Sequence, residues 1–256
     1  MRNLLIFLLL PLLTYLALCA LMYFGQRSQI YFPVRESDPP GATAIRVAAA
    51  DGTDLKIWVV PRPGPHALVY FGGNAEDVAG NLPAFAAAFP SHSLYLVNYR
   101  GYGGSSGSPS EAALLADAVA IFDHLRRRHP QISVIGRSLG SGVAVHLASV
   151  RDVHRLVLVT PYDSLVDVAA EHFPYLPVRW LMRDRYESAQ RVPAVRAPTL
   201  VVIAGADEII PRRRSEALVA AFPASQVRSE VLRGATHNGL DRMPQYLERV
   251  EEFLAE

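Results

Sequence analysis

Hydrophobic residues in this 256-residue chain fall into one long block followed by a series of short ones. The long block, residues 4–24, carries no charge and is broken only by Pro11, Thr14, Tyr15 and Tyr23. As a helix it reaches roughly 30 Å, enough to cross the hydrocarbon core of a bilayer. Beyond it, short apolar runs predict strands at 66–71, 93–99, 132–135, 156–159, 200–204 and 226–232. Residues 44–61 predict a hairpin that turns at Asp51-Gly52. Between the strands lie helical patterns at 82–89, 142–149, 212–222 and 244–254. A further helix opens at Ser108-Pro109-Ser110-Glu111 and runs to about residue 128, before Pro130. Its opening reads as a capping box, with Ser108 as cap, proline at the first helical position and Glu111 at the third. Strands that alternate with helices predict an α/β fold, a doubly wound and mostly parallel sheet.

Composition narrows the class. Once the apolar block is set aside, about 230 residues remain, which suits one domain with one sizeable core. We therefore expect an N-terminal anchor over 1–27 and a single folded domain over 28–256. A net charge of +1 gives no reason to expect a nucleic-acid partner. Cys19, the one cysteine, lies inside the apolar block. This excludes a disulfide framework, a thiolate metal site and a cysteine nucleophile from the folded domain. A cleaved signal would have a shorter apolar core and a small-x-small site, of which Ala17-Leu18-Cys19 is a poor version. A lipoprotein box ending at Cys19 is disfavoured by the leucine before it. An uncleaved single-pass membrane anchor is the expectation, with cleaved signal and lipoprotein as the alternatives. Arg2 before the block and Arg27 and Arg35 after it give almost no charge asymmetry. By analogy with signal anchors, the folded domain is expected on the exported side.

The candidate chemistry centres on Gly136-Arg137-Ser138-Leu139-Gly140, a G-x-S-x-G pentapeptide between an apolar run and a small-residue helix. That context is a nucleophile elbow: strand, sharp turn, helix. The glycines relieve crowding at the turn, and the following helix aims its N–H groups at the serine. Serine chemistry also needs a base and an acid to orient it. Residues 200–207 form an apolar run ending in Gly205-Ala206-Asp207, and residues 231–238 form another with His237 at its tip. Both would lie at the carboxyl ends of parallel strands, where open α/β sheets bind ligands. Of eight histidines, His237 alone combines a position after the acid with such a loop. Asp163, in Thr160-Pro161-Tyr162-Asp163-Ser164, also follows an apolar strand and stays open as a rival acid. Glu208 is expected to point away.

Two other features carry less. Gly101-Tyr102-Gly103-Gly104-Ser105-Ser106-Gly107 looks like a phosphate loop, but Ser106 stands at the third glycine position of G-x-G-x-x-G and no acidic residue follows where a nucleotide ribose needs one. Arg212-Arg213-Arg214 suits either a solvated helix start or attraction to anionic headgroups.

The elbow, Tyr70-Phe71-Gly72-Gly73-Asn74-Ala75-Glu76-Asp77, residues 98–105, Asp207-Glu208-Ile209-Ile210-Pro211 and Gly234-Ala235-Thr236-His237 occur in an order that resembles the α/β-hydrolase superfamily. Within it the chain is most similar to membrane-anchored serine hydrolases of the α/β-hydrolase domain-containing group. The resemblance runs from about residue 28 to the end. It implies Ser138, Asp207 and His237 as the catalytic residues, with the N–H groups of Leu139 and Asn74 as the oxyanion hole. One departure is Gly72-Gly73-Asn74, where relatives have His-Gly-Asn, so the anchoring of that loop is open. Residues 164–197 fall where the superfamily places its lid and allow two short helices. There Trp180, Leu181 and Met182 are expected to line the groove, touch lipid or pack the lid onto the body. The implied activity is hydrolysis of carboxylic esters, monoacyl lipids among them, through an acyl-enzyme. No metal or organic cofactor is expected, and a monomer is. The same triad also serves amides, thioesters, peptides or acyl transfer, and a catalytically silent, membrane-tethered binding protein is the alternative of another class.

Overall fold

The central strands are apolar along their whole length because both of their faces are covered. In the computed structural model, which describes residues 2–256 and side chains from residue 9 onward, these strands are β3 (His66–Phe71), β4 (Ser93–Val97), β5 (Gln131–Arg137), β6 (Leu156–Val159) and β7 (Thr199–Ala204). Successive side chains point to opposite faces, so a single strand feeds two cores. Val69 and Phe71 join Ile121 and Val143 on one side, whereas Leu68 and Tyr70 join Phe85 and Phe253 on the other. The first core is covered by α3 (Glu111–Arg126) and α4 (Leu139–Val150), the second by α2 (Leu82–Ala88) and α9 (Pro244–Ala255).

Among the described residues one eight-stranded sheet forms in the order β1-β2-β4-β3-β5-β6-β7-β8. The hairpin β1 (Thr43–Ala48) and β2 (Asp54–Val60) joins antiparallel at one edge, and every other pair, out to β8 (Val227–Leu232), is parallel. The expected doubly wound, mostly parallel α/β sheet is therefore present, and the elbow serine follows its central strand β5. The carboxyl ends of β3, β5, β7 and β8 all face one edge.

Several local expectations need correction. The cap of α3 is Ser110, whose hydroxyl accepts from the Ala113 N–H at 3.3 Å, not Ser108. Glu111 is the first helical residue, and its carboxylate is drawn elsewhere. It accepts from the N–H groups of Arg185 and Tyr186 at 2.6 and 3.0 Å and pairs with Arg191 at 2.8 Å. A charge-assisted partner outcompetes a neutral cap bond. The lid is also more divided than two helices, comprising α5 (Leu165–His172), α6 (Val178–Leu181), α7 (Ser188–Arg191) and a 3-10 turn at Val192–Ala194. Pro174 and Pro177 cut it into short pieces.

The N-terminal helix α1 (Arg2–Ile30) runs through Pro11 and past the apolar block, so the expected boundary at residue 27 falls inside it. The side chains of residues 4–8, the start of that block, lie outside the described residues. The carboxyl end of α1 is fastened to the lid. Gln26 donates to the Leu181 carbonyl and accepts from the Arg183 N–H, Arg27 pairs with Asp184 at 3.1 Å, and Tyr31 donates to Asp184 at 3.0 Å. The four-helix-piece lid, Glu111 and the end of α1 thereby form one polar assembly above the sheet edge. The arginine run at the start of α8 (Arg212–Ala221) also joins it, since Arg213 and Arg214 both pair with Glu171 of α5. Arg212 pairs with Glu216 instead. Arg214 is thus held within the fold, whereas Arg212 and Arg213, 52% and 65% exposed, stay at a solvated helix start.

Candidate active site

Ser138 sits between β5 and α4 with φ 49° and ψ −116°, a backbone conformation a non-glycine residue holds only when its surroundings enforce it. The enforcement is contact. A Cβ at Gly140 would come within 2.1 Å of the Phe71 carbonyl oxygen, and one at Gly136 within 2.4 Å of the Gly140 carbonyl oxygen. Only glycines let β3, β5 and α4 approach this closely, and the approach fixes the turn that lifts Ser138 above the sheet edge.

Two loops complete the arrangement. The Ser138 Oγ lies 2.9 Å from His237 Nε2, and His237 Nδ1 lies 2.9 and 3.0 Å from the two carboxylate oxygens of Asp207. The side chains of His237 and Asp207 are 5% and 3% exposed, so the pair is shielded from water. Asp207 is held in turn by the N–H groups of Ile209 and Ile210 at 2.9 and 2.7 Å. Three residues far apart in sequence therefore form one hydrogen-bonded chain. Among the described residues no other histidine bonds Ser138. His66 and His92 pack on each other, His129 meets Tyr95, and His172 bonds the Ile209 carbonyl in the lid. The rival acid Asp163 pairs with Arg214 at 2.9 Å. Burial raises its carboxyl above the usual value, against the pull of Arg214. Glu208 does not point away: its carboxylate folds back to accept the His237 N–H at 3.1 Å, because that loop N–H has no strand partner to take it.

On the other side of Ser138, Leu139 is the first residue of α4, a position whose N–H has no acceptor within its own helix. Asn74 lies beside it along the same cavity. The missing histidine of the Gly72-Gly73-Asn74 loop is replaced by other anchors. The Asn74 side chain donates to the Ile30 carbonyl at 2.7 Å and accepts from the Phe32 N–H and the Tyr102 hydroxyl at 2.9 and 2.8 Å. Glu76 accepts from the Gly73 N–H, from the Tyr70 hydroxyl and from Asn81. It also pairs with Arg137 at 3.2 Å. Burial, with Glu76 alongside, pushes the Tyr70 phenol well above its ordinary pKa, so Tyr70 stays a donor.

Arg137, at the first unspecified position of the pentapeptide, links the parts. Besides Glu76 it reaches the His237 carbonyl at 3.2 Å and Asp241 at 3.4 Å. It ties the elbow, the Asn74 loop and the His237 loop together from beneath. Sequence reasoning gave no bracing role to Glu76 or Arg137 and read Glu111 only as part of a helix cap. Burial of a charged residue is the signal that marks them, and it exists only once the chain is folded.

A cavity of about 700 Å³ opens above Ser138, with mainly apolar walls. Leu139, Asn74 and Tyr162 lie at its base, and Val168, Leu176 and Leu181 of the lid form one side. Met22, Gln26 and Ile30 of α1 form another. Leu181 and Met182 line the cavity, one of the placements left open for them. Trp180 does not: it is 89% exposed and faces outward, since α6 is a single turn that can present only one side inward.

Comparison with known proteins agrees with this architecture. A family profile described as "alpha/beta hydrolase fold" matches residues 68–192. An uncharacterized protein of Mycobacterium tuberculosis is 39% identical over 248 residues, covering 90% of this chain and 88% of that one. Alpha/beta hydrolase domain-containing protein 17C of Mus musculus is 32% identical over 241 residues, 91% of this chain and 73% of its own length. A Pyrococcus furiosus esterase superposes with a TM-score of 0.71 at 18% identity, over 89% of this chain and 97% of that one, a likeness of fold.

Proposed function

The chain belongs to the α/β-hydrolase family, and from that premise we propose that it is a membrane-anchored serine hydrolase that cleaves carboxylic esters, with lipids among its substrates. The observation that carries this reading is the unbroken hydrogen-bonded series Ser138–His237–Asp207 at the base of an apolar cavity.

In this reading Ser138 Oγ attacks the ester carbonyl carbon while His237 Nε2 takes its proton. Asp207 holds the imidazole in the tautomer with a proton on Nδ1 and stabilises the imidazolium that forms. The carbonyl oxygen becomes an oxyanion facing the N–H groups of Leu139 and Asn74, each such donor contributing roughly 3–4 kcal/mol in the transition state. Collapse breaks the bond to the leaving oxygen, which takes the proton from His237 and departs as the alcohol. Water then attacks the acyl-serine, giving its proton to His237. The second collapse returns that proton to Ser138 and releases the carboxylic acid. The apolar walls suit an acyl chain, and α1 supplies the anchor, with an 18-residue stretch of mean hydropathy 1.6 inside the 22 residues Leu9–Ile30.

The test is labelling of the full-length protein in membranes with a fluorophosphonate. Labelling that is absent in Ser138→Ala and sharply reduced in His237→Ala supports the reading. A folded wild type that resists the probe refutes it.

A further inference from the structure

The apolar block of α1 and the lid overlap along the helix axis, and the overlap has a consequence for where the protein meets the bilayer. One stripe of α1, comprising Tyr15, Cys19, Met22, Tyr23, Gln26 and Ile30, follows helical spacing and faces the lid. The Tyr15 hydroxyl donates to the Tyr175 carbonyl at 2.9 Å, Cys19 is buried, and the Arg183 guanidinium lies over the Tyr23 ring at 4.1 Å. The contact from Tyr15 to Ile30 spans about 22 Å of helix. The opposite face, with Leu10, Leu13, Leu21 and Phe24, is exposed.

A hydrocarbon core of about 30 Å needs nearly the whole block from residue 4 to residue 24. With its outer boundary at Phe24, where the polar Gln26-Arg27-Ser28-Gln29 segment begins, Tyr15 lies about 13 Å deeper. The lid is bonded to α1 at that depth. Its tip carries Phe173, Tyr175 and Trp180, which are 47%, 88% and 89% exposed, an apolar group left largely uncovered by the described residues. Nearer the boundary, the lid instead presents Arg183, which lies over the Tyr23 ring of α1. An aromatic residue deeper than an arginine matches the layering of a membrane interface.

We propose that the lid tip is a second membrane-inserting element. Phe173, Tyr175 and Trp180 enter the same leaflet as α1, and the cavity mouth between α1 and the lid opens into that leaflet. This deepens the hydrolase reading and rests on it for the substrate. The ester is carried by a bilayer lipid whose acyl chain slides between Met22 and Leu181 toward Ser138 without leaving the membrane. No aqueous transfer of the chain is needed.

Trp180 reports on its own position, because the other tryptophan, Trp58, is buried in the core. The experiment takes the full-length protein in phosphatidylcholine–phosphatidylglycerol vesicles and compares wild type with Trp180→Phe. The difference between the two is the Trp180 emission. Insertion predicts that it is blue-shifted, quenched by phosphatidylcholine brominated on its acyl chains and shielded from aqueous iodide. Emission that iodide quenches and bromine does not overturns the proposal, whether or not the enzyme is active. A second arm uses the Tyr175→Ser, Trp180→Ser double variant. Its hydrolysis of a long-chain ester in vesicles should fall about tenfold, while its turnover of soluble p-nitrophenyl acetate is unchanged. Equal vesicle rates in variant and wild type overturn the lateral route. A wild type that cleaves neither ester refutes the hydrolase reading instead, and the fluorescence still decides insertion.

Discussion

Leu158 at the centre of the sheet and Asp184 in the lid are both buried, for opposite reasons. Leu158 is fully enclosed among other hydrocarbon side chains, and its place follows from removing area from water. Asp184 is 4% exposed because Arg27 and Tyr31 supply the charge and the donor that its carboxylate requires. The same contrast holds for the two regions as wholes. The body gains stability from many non-directional contacts spread over two cores. The lid is fixed at a few carboxylates: Glu111, Glu171, Asp163 and Asp184. A region secured by area loses little with any one atom, whereas a region secured by a handful of directed bonds loosens when one is removed. This suits their tasks, since the body must hold Ser138 within hydrogen-bond reach of His237 and the lid must admit substrate.

The largest test of this division concerns two aspartates of similar sequence context. Asp207→Asn should lower turnover of a soluble ester about 10⁴-fold, because the asparagine amide imposes the wrong tautomer on His237. Asp163→Asn touches only the lid root and should cost less than about tenfold in kcat/KM on the same ester. Comparable losses in the two variants would break the distinction. In the body, Gly140→Ala should destabilise the fold by about 3 kcal/mol or more, since its Cβ meets the Phe71 carbonyl and neither β3 nor α4 is free to yield. A lowered midpoint of global unfolding, with labelling of Ser138 lost in parallel, is the expected result. The smallest effect is expected in the lid. Glu111→Gln weakens the bonds to Arg185, Tyr186 and Arg191 by about 1–2 kcal/mol. Proteolysis within residues 173–187 should accelerate several-fold while the global midpoint hardly moves. An equal drop in that midpoint would mean that lid and body unfold together.

The reading of the chain before folding succeeded where local signals sufficed. Apolar runs of strand length bounded by loops located the sheet, and the pentapeptide placed Ser138 because strand, glycine and small-residue helix are all neighbours in sequence. Asp207 and His237 were legible as loop residues after apolar runs. Chain order could not separate Asp207 from Asp163, since both lie between Ser138 and His237; the preference for Asp207 came from its place after the seventh strand, and in the folded chain Asp207 meets His237 while Asp163 meets Arg214. Local signals failed where side chains choose among distant partners. Glu111 looked like a capping residue and instead holds the lid about 75 residues away in sequence. Glu208 was expected to turn outward and instead takes the His237 N–H. Nothing local separated Trp180 from Leu181 and Met182, for all of which groove, lipid and lid packing stood open, and one turn of helix sends Trp180 to the opposite side.

Sequence alone thus determined the alternation of strands and helices, the elbow and the long apolar N-terminal block, because each depends on residues adjacent in the chain or repeated at a fixed period. Tertiary structure alone decided that Arg137 and Glu76 brace the site from below, that α1 forms a wall of the cavity and that the lid tip reaches Tyr15. Those outcomes depend on which charged and polar groups meet after burial, and the strength of such meetings is set by distance and desolvation rather than by position along the chain.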